Sequence, residues 1–112
     1  MFYIMVASVL AVSAASVIDA EDNRVAYNNC LVDFTIEHLA LGTGVSAFRN
    51  AAQNACATEK SALISAIKKD ELQFGSSEKD ATEYATEEAE GVLFSYTDGY
   101  SGYKNSNTKP MK

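Results

Sequence analysis

Apolar side chains recur every three or four residues through most of the chain, which is the spacing of one face of an α-helix. The pattern predicts three helices, at residues 22–41, 44–73 and 78–96. The first carries two apolar stripes, one of Tyr27, Cys30, Leu31, Phe34, His38 and Leu41 and the other of Val25, Val32, Ile36 and Leu39. A helix with two apolar stripes needs neighbours on two sides. We therefore expect the first helix to be central, or to contact a partner protein or a second copy of the chain.

Cap residues support these boundaries. Gly42 follows the first helix, and glycine readily adopts the left-handed conformation that ends a helix. Ser77 precedes the third helix with Asp80 three residues later, an arrangement that resembles a capping box. Residues 97–112 are rich in Gly, Ser, Asn and Lys and show no apolar period, so we expect a disordered, flexible C-terminal tail. The folded part is then one all-α domain at residues 21–96.

The two cysteines, Cys30 and Cys56, lie at equal distances in sequence from Thr43, in the Gly-Thr-Gly turn between the first two helices. In an antiparallel helical hairpin they would face each other at the same level, because both helices rise by about 1.5 Å per residue. The spacing therefore favours a disulfide. Redox-active pairs stand close together, as in Cys-x-x-Cys, so a structural bridge is the better interpretation than a redox site.

An uncharged apolar stretch at residues 2–18 is followed by small residues, including Ala20. This is the pattern of a signal peptide, predicted at residues 1–20, and it predicts a periplasmic or secreted protein, where two cysteines usually pair. No Lys or Arg precedes the apolar stretch, so an uncleaved N-terminal anchor is the alternative. The intact mass of the exported protein distinguishes the two.

The formal net charge of the chain is −6, and cleavage after Ala20 would remove only Asp19 from the charge count. An acidic chain is a poor ligand for nucleic acid or for an anionic membrane surface. We therefore expect membrane contact only if the leader is retained.

The sequence predicts no enzyme and no cofactor. His38 is the only histidine, and no neighbouring residue completes a catalytic set or a metal site, so we expect a half-buried helix histidine with its hydrogen bonds satisfied. The tyrosines at 96, 100 and 103 are candidate aromatic platforms for a sugar or a partner, but the composition around them favours the simpler interpretation of an unstructured tail.

The third helix carries an acidic stripe, a possible interaction site formed by Asp80, Glu83, Glu87 and Glu90. Like charges at this spacing repel, so a compensating charge is expected. Lysines of the second helix are the simplest source, namely Lys60, Lys68 and Lys69. A divalent cation or a basic partner is the alternative, although no calcium-binding loop motif is present and no metal ligand set is predicted.

The segments YNNCL at residues 27–31 and NACA at residues 54–57 resemble small exported bacterial proteins of unknown function. These proteins have an apolar leader, a Cys-Leu on one helix and an Ala-Cys on the next. The resemblance covers residues 24–70 and implies a disulfide-linked hairpin and an envelope or secreted location, but no activity. The sequence thus predicts an exported, non-enzymatic binding or interaction protein; the alternative is a weak cation-binding or stress-related envelope protein that acts through the acidic helix.

Overall fold

The computed structural model describes the backbone of residues 2–112 and the side chains of residues 20–112. Its elements are α1 (Phe2–Leu41), α2 (Val45–Ala52), α3 (Ala57–Gln73) and α4 (Glu78–Ser106). Every regular element in the described part of the chain is a helix, which confirms the predicted all-α class. The side chains of the predicted leader before Ala20 lie outside the described residues, so its cleavage or retention stays a prediction.

Three of the helices end in the same way, with one residue in the left-handed conformation. Gly42 has φ 71°, and the next N–H, of Thr43, donates to the His38 carbonyl at 3.0 Å. Gly75 and Asn107 end α3 and α4 with equivalent bonds. This pairing satisfies carbonyls that a helix end otherwise leaves without partners. The Gly42 prediction is confirmed, as is Ser77, whose hydroxyl accepts from the Asp80 N–H at 3.1 Å.

The predicted second helix, residues 44–73, is wrong as a single element. It is interrupted at residues 53–56, where the Asn54 and Ala55 N–H groups bond to carbonyls three residues back. Cys56 then takes φ 56° and stands at the start of α3. The alanine-rich sequence supplies little apolar surface to hold one straight helix, and the bridge to Cys30 fixes Cys56 at the break. The two cysteines therefore do not lie on two uninterrupted helices of a hairpin, although the predicted pair is bonded.

The predicted disordered tail, residues 97–112, is also wrong, because α4 continues to Ser106. Tyr96 and Tyr100 are buried and extend the apolar face of α4 by another turn. This burial outweighs the low helix propensity of Gly99 and Gly102. The last residues, 107–112, turn back toward α1, and Pro110 among them is buried.

Interhelical contacts give the chain directions. Ion pairs join Lys60 to Glu90 and Lys68 to Glu78, so α3 and α4 run in opposite directions. The first residues of α1 whose side chains are described, from Ala20, line one cavity together with the end of α3. Farther along α1, the disulfide joins Cys30 to the start of α3. Consequently α1 runs opposite to α3 and in the same direction as α4. The short α2 contacts α1 and α4 near the end where α1 stops.

One hydrophobic core lies between the helices. It is formed by side chains from all four elements, namely Tyr27, Leu31, Val32, Phe48, Ala52, Leu63, Ile67, Ala85, Ala89, Leu93, Tyr96 and Tyr100. Burial of this apolar surface is the main stabilising contribution, at about 25 cal/mol per Å². The core fixes α1 against α4 along their parallel seam, where the candidate site lies.

Candidate functional site

The predicted cysteine bridge is present in the structure. Cys30 and Cys56 are bonded, with their Cα atoms 6.1 Å apart, and both are half-buried beside the core. No free thiol occurs among the described residues. The bridge confirms the predicted pair and ties the middle of α1 to the start of α3.

His38 belongs to the aromatic end of the core. Its Nδ1 lies 2.8 Å from the Thr43 hydroxyl, and its ring is 4.3 Å from that of Phe34. Its partial burial and hydrogen bond match the expected satisfied histidine. The described surroundings of the ring are aromatic side chains and the turn after α1, so His38 has a packing role here.

The tyrosines expected in a tail are instead part of the fold. Tyr100 stacks on Phe48 with ring centres 3.9 Å apart, and its hydroxyl donates to the carbonyls of His38 and Thr43 at 3.1 and 2.7 Å. Burial raises the pKa of Tyr100 above its usual value, and the hydrogen bond to Thr43 acts in the opposite direction. Tyr100 therefore clamps the Gly-Thr-Gly turn, and it is not available as an aromatic platform.

Tyr96 and Tyr103 flank this clamp. The Tyr96 hydroxyl donates to the side-chain carbonyl of Asn28, which links α4 to α1. Burial raises the pKa of Tyr96 as well. Tyr103 is half-buried, so the three tyrosines do not form an exposed aromatic platform, which was the alternative to the predicted tail.

The acidic residues of α4 do not converge on a point. Asp80, Glu83 and Glu87 are exposed, and Glu90 pairs with Lys60 at 2.7 Å. Glu78 pairs with Lys68, so two of the three expected lysines supply compensating charge. The described residues contain no group of three His, Cys, Asp or Glu side chains arranged to hold a metal ion.

The second stripe of α1 is largely covered. Val32 is buried, and Ile36 and Leu39 are partly buried against the core. Val25 is 48% exposed. The stripe thus offers a partner only its end near Val25, which narrows the surface predicted from the sequence.

Val25 opens onto a groove between the parallel helices α1 and α4. We call this the α1–α4 groove, a cavity of about 400 Å³ whose walls are formed by Val25, Asn28, Asn29, Val92 and Ser95. Glu21 and Arg24, which pair with each other at 3.2 Å, lie at one end, and Lys112 lies at the other. The two valines provide apolar surface, and amide and hydroxyl groups stand beside them. Such mixed linings suit ligands with an apolar part and hydrogen-bonding groups.

Sequence reasoning missed this groove because it assigned Val92 to the core stripe and considered neither Asn28 nor Asn29. The feature of the sequence that indicated the groove was this pair of asparagine amides on an otherwise apolar face of the helix. Recognising it as a groove required the knowledge that α4 runs parallel to α1. The C-terminal residues fold back and place Lys112 at the groove. Pro110 is the one feature of the sequence that indicates this fold-back.

Family models, curated proteins and solved structures provide no match for this chain. Within residues 20–112, no helix has the length and apolar character needed to cross a bilayer.

Proposed function

We propose that this chain is a small exported, non-enzymatic interaction protein that binds a partner protein through the α1–α4 groove. The observation that carries the proposal is the open groove itself, with half-exposed Val25 on α1 and Val92 on α4. A cavity of this size whose lining combines apolar side chains with a few polar groups is a usual form of binding site. Export to the periplasm or outside the cell is part of the proposal, and the disulfide supports it, since such bonds persist in oxidising compartments.

The scaffold around the groove supports a rigid binding surface. Cys30, one residue beyond Asn29, is bonded to α3, and Tyr96, one residue beyond Ser95, is hydrogen bonded to Asn28. These links fix both walls of the groove before a partner arrives. Pre-organisation of this kind lowers the entropy cost of binding.

The alternative, weak cation binding by the acidic residues of α4, has no specific observation in its favour. Two of the carboxylates, Glu78 and Glu90, already pair with lysines, and the others are spread along an exposed face. An exposed helix face with a charge run is usually a solvated surface.

Site-specific photo-crosslinking tests the proposal. The photoreactive residue p-benzoylphenylalanine replaces Ser95, which lines the groove, in cells that export the protein. The matched control replaces Ser61, an exposed serine on α3 that lies outside the groove. We expect discrete protein adducts from position 95 and none of these adducts from position 61. The same adducts from both positions, or none from position 95, would contradict the proposal.

A further inference from the structure

The last six residues, 107–112, form a C-terminal segment that folds back over α1. Asn107 takes φ 54° and ends α4, and the Thr108 N–H donates to the Tyr103 carbonyl at 3.0 Å. Thr108 and Lys109 then line a cavity together with Ile36, Leu39 and Ala40 of α1. At the end of the chain, the Lys112 ammonium lies 3.0 Å from the Asp33 carboxylate. The segment therefore runs down α1 in the direction opposite to α4.

The path of this segment leads directly into the α1–α4 groove. Lys112 lines one end of the groove, and Asn29 and Val25 follow farther along α1. Ile36 and Leu39 line a cavity with the segment, Val25 lines the groove, and the three side chains lie on one stripe of α1. We call this stretch of α1, from Leu39 to Val25, the furrow. The segment beside the furrow has a buried proline and, two residues later, a lysine that pairs with α1.

The C-terminal segment is held in a way that permits exchange. The Lys112–Asp33 ion pair is exposed, with the two side chains 52% and 63% accessible, and such pairs contribute little to stability. Met111 is almost fully exposed. Within the described residues, the Thr108 bond to Tyr103 is the last backbone hydrogen bond that fixes the segment. Pro110 is its one buried side chain.

We infer that the furrow binds an extended, lysine-bearing segment of the partner protein, and that the C-terminal segment occupies part of this furrow until the partner displaces it. The inference deepens the proposed function and rests on it, because it names the chemistry of the partner. Asp33 receives the partner's lysine in place of Lys112. The amides of Asn28 and Asn29 and the hydroxyl of Ser95 lie where an extended backbone would need hydrogen-bond partners.

Charge supports a basic partner. The chain has a formal net charge of −6, and opposite charge accelerates encounter between proteins. The C-terminal segment itself carries Lys109 and Lys112, so the occupant already present has the expected sign.

The test uses the full chain and a fluorescent peptide with the sequence of residues 105–112, NSNTKPMK. Wild-type protein should bind the peptide weakly, because the attached segment competes at an effective concentration in the millimolar range. Lys112→Glu replaces the ion pair with two like charges and so weakens the competition from the attached segment. Anisotropy should then show binding up to about fivefold tighter, the value of one exposed ion pair.

Charge exchange provides the specific control. A chain with Asp33→Lys should lose affinity for this peptide and should bind a second peptide in which glutamate replaces the final lysine. Lys79→Glu alters net charge by the same amount as Lys112→Glu at an exposed site on the first turn of α4, so it should match wild type. Equal peptide affinity of wild type, Lys112→Glu and Lys79→Glu would overturn the inference. A wild-type dimer in sedimentation that dissociates with Lys112→Glu would overturn it too, because the occupant would then be a second copy.

The two proposals fail separately. If position 95 gives adducts but Lys112→Glu does not change peptide binding, the proposed function is supported and the inference about the C-terminal segment is wrong. If the peptide binds with the expected charge dependence but position 95 gives no adducts, the furrow is a peptide site and the proposal of a partner protein in the groove is wrong.

Discussion

Tyr27 places a hydroxyl group inside the hydrophobic core. Its side chain is fully buried, and its hydroxyl has no hydrogen-bond partner. An unpaired buried hydroxyl costs about 1–3 kcal/mol of desolvation. Tyr27→Phe keeps the ring and removes the hydroxyl, so we expect the free energy of unfolding to rise by about 1 kcal/mol. Urea denaturation with the disulfide intact measures this change.

Tyr100→Phe is the matched control for that substitution. The Tyr100 hydroxyl donates to two carbonyls of the clamped turn, so its removal should lower the free energy of unfolding by about 1 kcal/mol. If Tyr27→Phe destabilised the chain as much as Tyr100→Phe, the Tyr27 hydroxyl would have a partner and this account of the core would be wrong.

Burial of the tyrosines also predicts sensitivity to alkaline pH. Burial, followed by the nearby charge of Glu90, raises the pKa of Tyr27 from 10.0 to about 12, and burial raises the pKa of Tyr96 and Tyr100. The unfolded chain therefore loses these protons first as the pH rises. The contribution of these three tyrosines to the free energy of unfolding should be constant below pH 10. It should fall between pH 10 and about 12.

Thermal melts across that pH range test this prediction, with Tyr27→Phe as the comparison. The variant should lose less stability than wild type between pH 10 and 12. Parallel losses in the two proteins would show that Tyr27 does not titrate with a raised pKa.

Cap residues and the cysteine pair could be predicted from the sequence because each acts through its immediate neighbours. Gly42 and Ser77 act within one helical turn, and two cysteines have only one intramolecular pairing. The left-handed backbone of Cys56 could not be predicted, since it depends on where α3 meets Cys30 in space.

At the level of the elements, the start of α3 combines the bridge with this unfavourable backbone. A bridge over a loop of this size contributes about 3–4 kcal/mol in the loop-entropy model. A non-glycine residue in the left-handed region costs about 1–2 kcal/mol. We expect the Cys30→Ala/Cys56→Ala chain to lose about 3–4 kcal/mol of unfolding free energy. Cys30→Ala/Cys56→Gly should recover about 1 kcal/mol of that loss, because glycine takes φ 56° without strain.

Denaturation of these two double variants beside wild type makes the comparison, since neither variant has a thiol. Equal stability of the Ala and Gly variants would show that Cys56 leaves the left-handed conformation once the bridge is absent. In that case the break between α2 and α3 would be a product of the disulfide alone.

The three-helix pattern predicted the long helices but not their limits. The break at residues 53–56 fell inside an alanine-rich stretch whose period is too weak to locate it. The extension of α4 had a signal in the spacing of Tyr96, Tyr100 and Tyr103, which continues the face of Leu93. The Gly-, Ser- and Asn-rich composition of residues 97–112 indicates disorder instead, and it concealed this signal.

For the whole molecule, the candidate site depends on assembly of separate elements. The groove needs α1 and α4 side by side and parallel, and the peptide furrow needs the C-terminus folded back to Asp33. Neither relation can be derived from one helix at a time. The acidic stripe, which a single helix does define, is largely solvent-exposed surface, on which Glu90 pairs with Lys60; Glu78, just before the stripe, pairs with Lys68.

The most direct test of groove binding combines photo-crosslinking at position 95 with a substitution in the groove. Val25→Arg fills the apolar part of the groove with a charge. Leu72→Arg, on a side chain of similar exposure (43% against 48%) outside the groove, is the matched control. We expect Val25→Arg to abolish the adducts from position 95 and Leu72→Arg to leave them unchanged. Adducts of equal yield in both variants would contradict the claim that the partner binds in the α1–α4 groove.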